Sequence, residues 1–268
     1  MDELPVLSAT ALEALRVAND LTASAGHLER VISRDVALTT RILAVANSAF
    51  MGLRRPVDSV REAVVLLGTR QVRTVASLQA VSPLFTTNDS DLISGEQLWS
   101  HSLAVALWAQ KIGKRVHFPS LTHVYTAGLM HDMGIILLQN CLGQDYEEVL
   151  MSAKNSQQDL MDLEQEHLGT NHARIGATLS AKWMLNPRLT WLISHHHDEG
   201  ALEDTEANIL RVADWCASST ELGAFPWSKA GDCPEGAVRA LGLLPSEMDE
   251  IIAQGWSIKD EVTGLLTQ

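Results

Sequence analysis

The sequence predicts an all-α protein, a two-lobed helical bundle, on three observations. Apolar residues recur with a period near 3.6, and no convincing run alternates apolar with polar as a half-buried strand would. Ser, Asp and Asn stand where helices should start, as in the Ser59-Val60-Arg61-Glu62 capping box. A short polar stretch, Thr86-Thr87-Asn88-Asp89-Ser90-Asp91, offers a boundary between lobes.

The elements follow in order. After Leu4-Pro5, Ser8 or Thr10 caps a first helix with Leu12, Leu15 and Leu21 among its apolar positions. Ser24 precedes a second with Leu28, Val31 and Ile32, and Asp35 caps a third with Ile42, Leu43, Val45 and Ala46 at core spacing. Asn47 to Gly52 reads as a turn. The Ser59 box then opens the apolar run Ala63 to Leu67, which Gly68 closes.

Beyond the polar stretch, Ser94-Gly95-Glu96-Gln97 caps a long helix bearing Leu98, Trp99, His101, Leu103, Val105, Leu107 and Trp108. One helix is expected to carry His131-Asp132 and to end at Leu142-Gly143. An acidic helix runs from Asp159 to Leu168, Asn171 to Met184 forms another with His172 in its first turn, and Pro187 opens a helix that ends in Ser194-His195-His196-His197-Asp198-Glu199. Pro226-Trp227 and Gly231 to Pro234 look like loop, and Ser246-Glu247-Met248-Asp249 caps a last helix with Ile251, Ile252 and Trp256 on one side.

Length and composition narrow the class. With 268 residues and 46% hydrophobic content, the chain can bury one large core or two small ones. No apolar run approaches the roughly twenty residues that span a bilayer, and Met1-Asp2-Glu3 lacks the basic region of a signal peptide. A cytoplasmic location without membrane association is expected. Cys141, Cys216 and Cys233 are odd in number and lack a C-x-x-C spacing, so they read as buried thiols, not a disulfide framework or a thiolate zinc site.

Charge is divided unevenly. Residues 1–80 carry nine Lys/Arg against eight Asp/Glu, while 81–268 carry eleven against twenty-five. Such an acidic chain repels duplex DNA at long range. Arg54, Arg55, Arg61, Arg70 and Arg73 cluster in sequence. A docking surface for an acidic protein partner, with Arg54, Arg55, Arg70 and Arg73 as its contacts, competes with the ordinary reading of a solvated face with local ion pairs, which the pattern favours.

The candidate chemistry starts at Gly128-Leu129-Met130-His131-Asp132-Met133-Gly134, where an imidazole and a carboxylate sit in a segment apolar from Ala127 to Leu138. Burying both without partners would cost several kcal/mol. Alone, the pair is weak evidence for a metal, since a core histidine bonded to a carbonyl is the common case. His101, His172, the His195-His196-His197 triplet and Asp214 add further stations in helical segments. Near a helix N-terminus the macrodipole disfavours a protonated His172, which suits a neutral ligand.

The order His101, His131-Asp132, His172, His196-His197, Asp214 resembles the metal-ligand series of the HD phosphohydrolase superfamily. Ser33-Arg34-Asp35-Val36-Ala37-Leu38-Thr39, Leu43 to Phe50 (with Asn47-Ser48-Ala49-Phe50), Arg55-Pro56-Val57-Asp58-Ser59-Val60 and Ala63 to Gly68 resemble the HDOD family, a divergent signalling branch. The resemblance spans about residues 4–220. It implies an HD-type helical core and an output or regulatory role in bacterial signal transduction. It further implies His101, His131, Asp132 and Asp214 around one ion, with Asp132 bridging to a second held by His172, His196 and His197. Imidazole and carboxylate without thiolate fit iron, manganese or a similar divalent ion.

Two departures argue against turnover. The catalytic branch that cleaves cyclic dinucleotides has a Lys after its His-Asp-x-Gly, where this chain has Ile135, and a Gly-Tyr-Pro motif after the double His, where this chain runs Asp198-Glu199-Gly200-Ala201. The expectation is therefore a lobe at 1–85, an HD-like metal-binding lobe at 92–220 and a helical extension at 221–268 packed on it. It binds a metal pair and a signalling protein without strong catalysis. The alternative is a metal-dependent phosphohydrolase or phosphodiesterase with a nucleotide or cyclic dinucleotide ligand, Asp132 as its catalytic candidate, and a phosphate-binding cation recruited from Lys111, Lys114, Arg115 or Arg174. A purely structural helical adaptor is the third possibility.

Overall fold

Helices begin where a side chain can meet their first free N–H groups. In the computed structural model, which describes residues 7–47, 55–85, 89–156, 158–225, 227 and 231–266, Ser8 caps α1 (Ala9–Asn19), Ser24 caps α2 (Ala25–Ile32) and Asp35 caps α3 (Val36–Ala46). Ser59 caps α4 (Val60–Val81), which is interrupted at Gly68, where φ is +75°. Gly68 thus ends the first segment as its sequence implies, but the helix resumes at once.

Leu21 lies beyond the end of α1 and is exposed, so it does not join that helix's apolar face. Ser48 to Arg54, covering most of the expected turn, lie outside the described residues, as do Leu4-Pro5, Thr86 to Asn88 of the polar stretch, and Pro226.

The second part of the chain is built on α5 (Gly95–Arg115), capped by Ser94. Then come α6 (Thr122–Met130), α7 (Met133–Leu142), α8 (Gln144–Ser156), α9 (Leu160–Leu168), α10 (His172–Lys182), α11 (Pro187–Ser194) and α12 (Thr205–Ser219). Around α5 pack α6 and α12, while α7 and α11 both meet α10. The expected single helix through His131-Asp132 is two helices with those residues at the joint. On a continuous helix their side chains would diverge by about 100°; the break lets both reach one centre.

The C-terminal part also differs. In place of one last helix there are α13 (Glu235–Ala240), α14 (Pro245–Ile252) and α15 (Gly255–Leu266). Ser246 caps none of them. Pro245 occupies the first position of α14, and the Glu247 carboxylate accepts from the Leu244 N–H at 2.8 Å. Within this region α15 packs on α5 and α13 on α12, while Trp256 points to solvent.

Two apolar clusters result. Ala14, Val17, Ala18, Leu28, Ile32, Ile42, Ala63 and Val72 belong to the smaller, and α5–α12 with the C-terminal helices form the larger. Both α1 and α4 contribute to each cluster, so the two lobes share helices. Among the described residues there is no strand, and no helix is long and apolar enough to cross a membrane. Of the three thiols only Cys216 is fully buried, and Cys141 is exposed, which corrects the expectation of three core cysteines. Burial, with Cys233 and Asp214 adding to it, pushes the Cys216 thiol up to about 12.

Candidate metal centre

The two glycines that flank His131-Asp132 set the site. A Cβ at Gly128 would come within 2.8 Å of the Ala106 Cα, so Gly128 lets α6 lie against α5 and bring His131 to His101. A Cβ at Gly134 would sit 1.9 Å from the His172 carbonyl oxygen, so Gly134 lets α7 approach the start of α10 and bring Asp132 to His172. The motif works by close backbone approach.

Seven side chains from five places in the chain then converge. Asp132 is central: its Oδ2 lies 3.2 Å from His131 Nε2 and 3.6 Å from His101 Nε2, and its Oδ1 lies 3.6 Å from both His172 Nε2 and His196 Nε2. Asp214, from α12, places Oδ1 3.1 Å from His101 Nε2, and His197 Nε2 lies 3.2 Å from His172 Nε2. Two ligand-like groups emerge, His101, His131 and Asp214 on one side and Asp132, His172, His196 and His197 on the other. His195 turns away, stacking on Trp191 and donating from Nδ1 to the Trp191 carbonyl.

Each of the four buried imidazoles has its Nδ1 committed. His101 donates to the Leu222 carbonyl at 2.7 Å, His131 to Gly128 at 2.9 Å, His196 to Ile193 at 2.7 Å, and His172 to the Glu164 carboxylate at 2.7 Å. With Nδ1 as donor, Nε2 of a neutral ring is an unprotonated lone pair facing the centre. The buried Nε2 atoms of His131 and His196 have no hydrogen-bond partner. Two unpartnered, buried imidazole nitrogens beside a carboxylate suit a cation among them, and the set fits a divalent metal ion.

The carboxylates and imidazoles of the centre shift one another in both directions. Burial works to raise Asp132, but the imidazoles of His131, His196 and His172 outweigh it and hold the carboxyl well below the usual range. Asp214 is likewise lowered, burial being overcome by the His101 hydrogen bond and charge. His101, whose burial works against protonation, is nevertheless lifted to about 8 by Asp214 and Asp132. His172 reaches about 9, because Glu164 overcomes its burial. That reverses the expectation that the macrodipole keeps His172 neutral: a buried carboxylate in contact outweighs a partial charge. For His196 and His197 desolvation dominates and neighbouring imidazoles add to it, so both are lowered, although His197 keeps an exposed edge.

The centre opens into a cavity of about 800 Å³. Lys111 pairs with Glu261, Arg115 with Glu247, and Arg174 approaches Gln165; none of these nor Lys114 lines it. Lys154 is the one Lys or Arg among its described lining residues, and sequence reasoning missed it because it sits amid the polar end of α8. Ile135 lines the same cavity, as do Asp159 and Asp232. Glu164 was missed too; it is fully buried in a helix whose acidic composition looks solvated.

The arginines divide. Arg55 and Arg61 are exposed and paired with Glu62 and Glu29, as a solvated face requires, and Arg70 is exposed. Arg73 is not on a docking surface: its buried guanidinium donates to the carbonyls of Val17, Ala18, Asp20 and Ala23. Arg54 lies outside the described residues.

A comparison with known proteins bears on this geometry. An HDOD domain protein of unknown function from Geobacter sulfurreducens matches with a TM-score of 0.82 at 27% identity, covering 98% of this chain and 94% of that one. Two others share the fold. A candidate phosphohydrolase of Shewanella amazonensis SB2B matches at TM-score 0.73 and 24% identity, covering 97% of this chain and 96% of that one. A candidate signal transduction protein of Marinobacter aquaeolei VT8 matches at 0.76 and 22%, covering 99% and 60%. An uncharacterized protein of Treponema pallidum (strain Nichols) is 28% identical over 222 residues, which is 80% of this chain; the chain spans 41% of that relative. The family model of the HDOD domain matches residues 4–199, and the chain belongs to the HDOD domain family.

Proposed function

We propose that the chain is a cytoplasmic regulatory module of bacterial signal transduction whose helical core would hold two divalent ions, one by His101, His131 and Asp214 and one by Asp132, His172, His196 and His197, and would pass its state to a protein partner, without strong catalysis. The observation that carries the metal pair is the pair of buried, unpartnered Nε2 atoms of His131 and His196 on either side of Asp132. Donors of this kind, imidazole and carboxylate without thiolate, favour iron or manganese. The regulatory half draws on the cavity wall, where Ile135 places an apolar side chain and Asp159 and Asp232 place carboxylates that repel an anionic substrate. It also draws on the signal-transduction description of the Marinobacter relative. Of the arginines weighed as contacts for an acidic partner, Arg70 and Arg55 are exposed, and Arg55 already pairs with Glu62.

Elemental analysis of protein purified without chelator tests the reading. About two equivalents of iron or manganese per chain are expected, lost in the His131→Ala, Asp132→Ala double variant. Absence of metal from the parent protein would return the histidines to packing.

One observation favours a second reading, a phosphohydrolase acting on a nucleotide or cyclic dinucleotide. Lys154 places an ammonium on the cavity wall, where it could meet a phosphate. In that case metal-loaded protein turns over phosphodiester substrates and Lys154→Ala raises KM. No turnover by the fully loaded parent protein rejects it.

A further inference from the structure

Glu164 is fully buried, and its partners are unusual for a carboxylate. Oε1 accepts from the Tyr146 hydroxyl at 2.5 Å, and Oε2 accepts from both the His172 backbone N–H, at 2.8 Å, and the His172 Nδ1–H, at 2.7 Å. Among the described residues its hydrogen-bond partners include no Lys or Arg, and the one ionisable base among them is the His172 ring. Burying such a charge is costly unless something opposite lies nearby.

The contrast with the other imidazoles is specific. His101, His131 and His196 each lean on a neutral backbone carbonyl, and His172 alone leans on a carboxylate. A carboxylate behind the distal nitrogen fixes the ring's tautomer and orientation and makes the facing nitrogen a stronger donor. Only the Asp132, His172, His196 and His197 group contains that ring.

We infer that Glu164, held by Tyr146, is a positioning residue that orients and strengthens His172 and so sets the affinity of that one metal position, leaving the His101, His131 and Asp214 position unaffected. The inference rests on the metal-pair reading above. Neither Tyr146, on α8, nor Glu164, on α9, lines the cavity, so the pair acts through His172.

Calorimetric titration of metal-stripped protein with Mn²⁺ tests it. The parent chain should show two classes of site. Glu164→Gln keeps the shape and one oxygen to accept both His172 N–H groups, removes the charge and turns the Tyr146 bond round so that the hydroxyl accepts from the amide; it should weaken one class about 10- to 100-fold and leave the other within about twofold. Tyr146→Phe should weaken the same class by less, while Asp214→Ala should weaken the other. Stripped Glu164→Gln gives up the charge that lifts His172, so its midpoint should fall, but it should keep the parent's helical circular dichroism and a cooperative transition, which separates positioning from a role in packing. No Mn²⁺ uptake by the parent chain would overturn the metal pair and this inference together. Two classes that Glu164→Gln leaves alone, or weakens equally, would overturn the inference and spare the pair. A single class of one ion per chain would end the pair and with it this inference, whereas a single class of two ions per chain in the parent that splits in Glu164→Gln, one ion weakened and one unchanged, would uphold it.

Discussion

Arg73 and His131 are both buried polar side chains in helical lobes, and they are treated in opposite ways. Arg73 spends its guanidinium on four backbone carbonyls at the end of α1 and in the turn that leads to α2, so the N-terminal lobe uses it as internal mortar. His131 spends Nδ1 on Gly128 and leaves Nε2 buried and unpartnered beside a carboxylate. A polar group satisfied by its own backbone belongs to the fold; one left unsatisfied in company with others is reserved for something else. Variants can test that distinction on a graded scale.

The largest effect is expected where the two roles meet, at Gly134. Gly134→Ala drives a Cβ into the His172 backbone, which cannot swing aside as a side chain would, and about 3 kcal/mol or more of stability should be lost. Because the clash pushes α10 from α7, Mn²⁺ binding should fail as well. Retained stability in urea unfolding would mean that α7 and α10 separate cheaply. Ile42→Ala, in the smaller core, should cost about 3 kcal/mol and leave the metal centre untouched. Gly68→Ala meets no neighbouring atom but must adopt a φ of +75°, and should cost only about 1–2 kcal/mol. Read together by urea unfolding, these variants separate contact from conformation.

The same division explains which features are legible in the sequence. Most helices are, because each cap is a local event: Ser8, Ser24, Asp35, Ser59 and Ser94 all bond the N–H groups that their positions imply. The cluster of His101, His131, Asp132, His172, His196, His197 and Asp214 is legible as well, since polar residues stand out in apolar periodic segments. Glu164 is not, because Asp162 and Glu166 give its helix the look of a solvated one and only the packing of Tyr146 reveals the buried member. The joint between α6 and α7 is hidden for the opposite reason: no proline or polar run interrupts the apolar stretch, so nothing local marks the break at His131 and Asp132. Arg73 hides among other arginines, its fate decided by the carbonyls it faces across the lobe.

Replacing Arg73 should sit below the core variants yet above any ligand variant in the stripped protein. Arg73→Met keeps the apolar stem and removes the guanidinium from carbonyls at the end of α1; loss of charged hydrogen bonds predicts about 2 kcal/mol. Unchanged Mn²⁺ affinity should accompany it. A change in affinity without a change in stability would mean that the small lobe reports on the metal centre and is more than scaffold.

The smallest effect on the stripped protein, and the most telling, is expected at His131. His131→Leu removes an unsatisfied buried nitrogen along with the Gly128 hydrogen bond and fills a similar volume with apolar atoms, so the two changes should nearly offset, within about 1 kcal/mol. Added Mn²⁺ should raise the parent's thermal midpoint, because an ion that binds only the folded state stabilises it by mass action, and should leave the variant's unmoved. If stripped His131→Leu instead lost about as much as Ile42→Ala, the imidazole would be part of the packing. His131 would then stand with Arg73 as mortar, and the unpartnered nitrogen would no longer mark a place kept for metal.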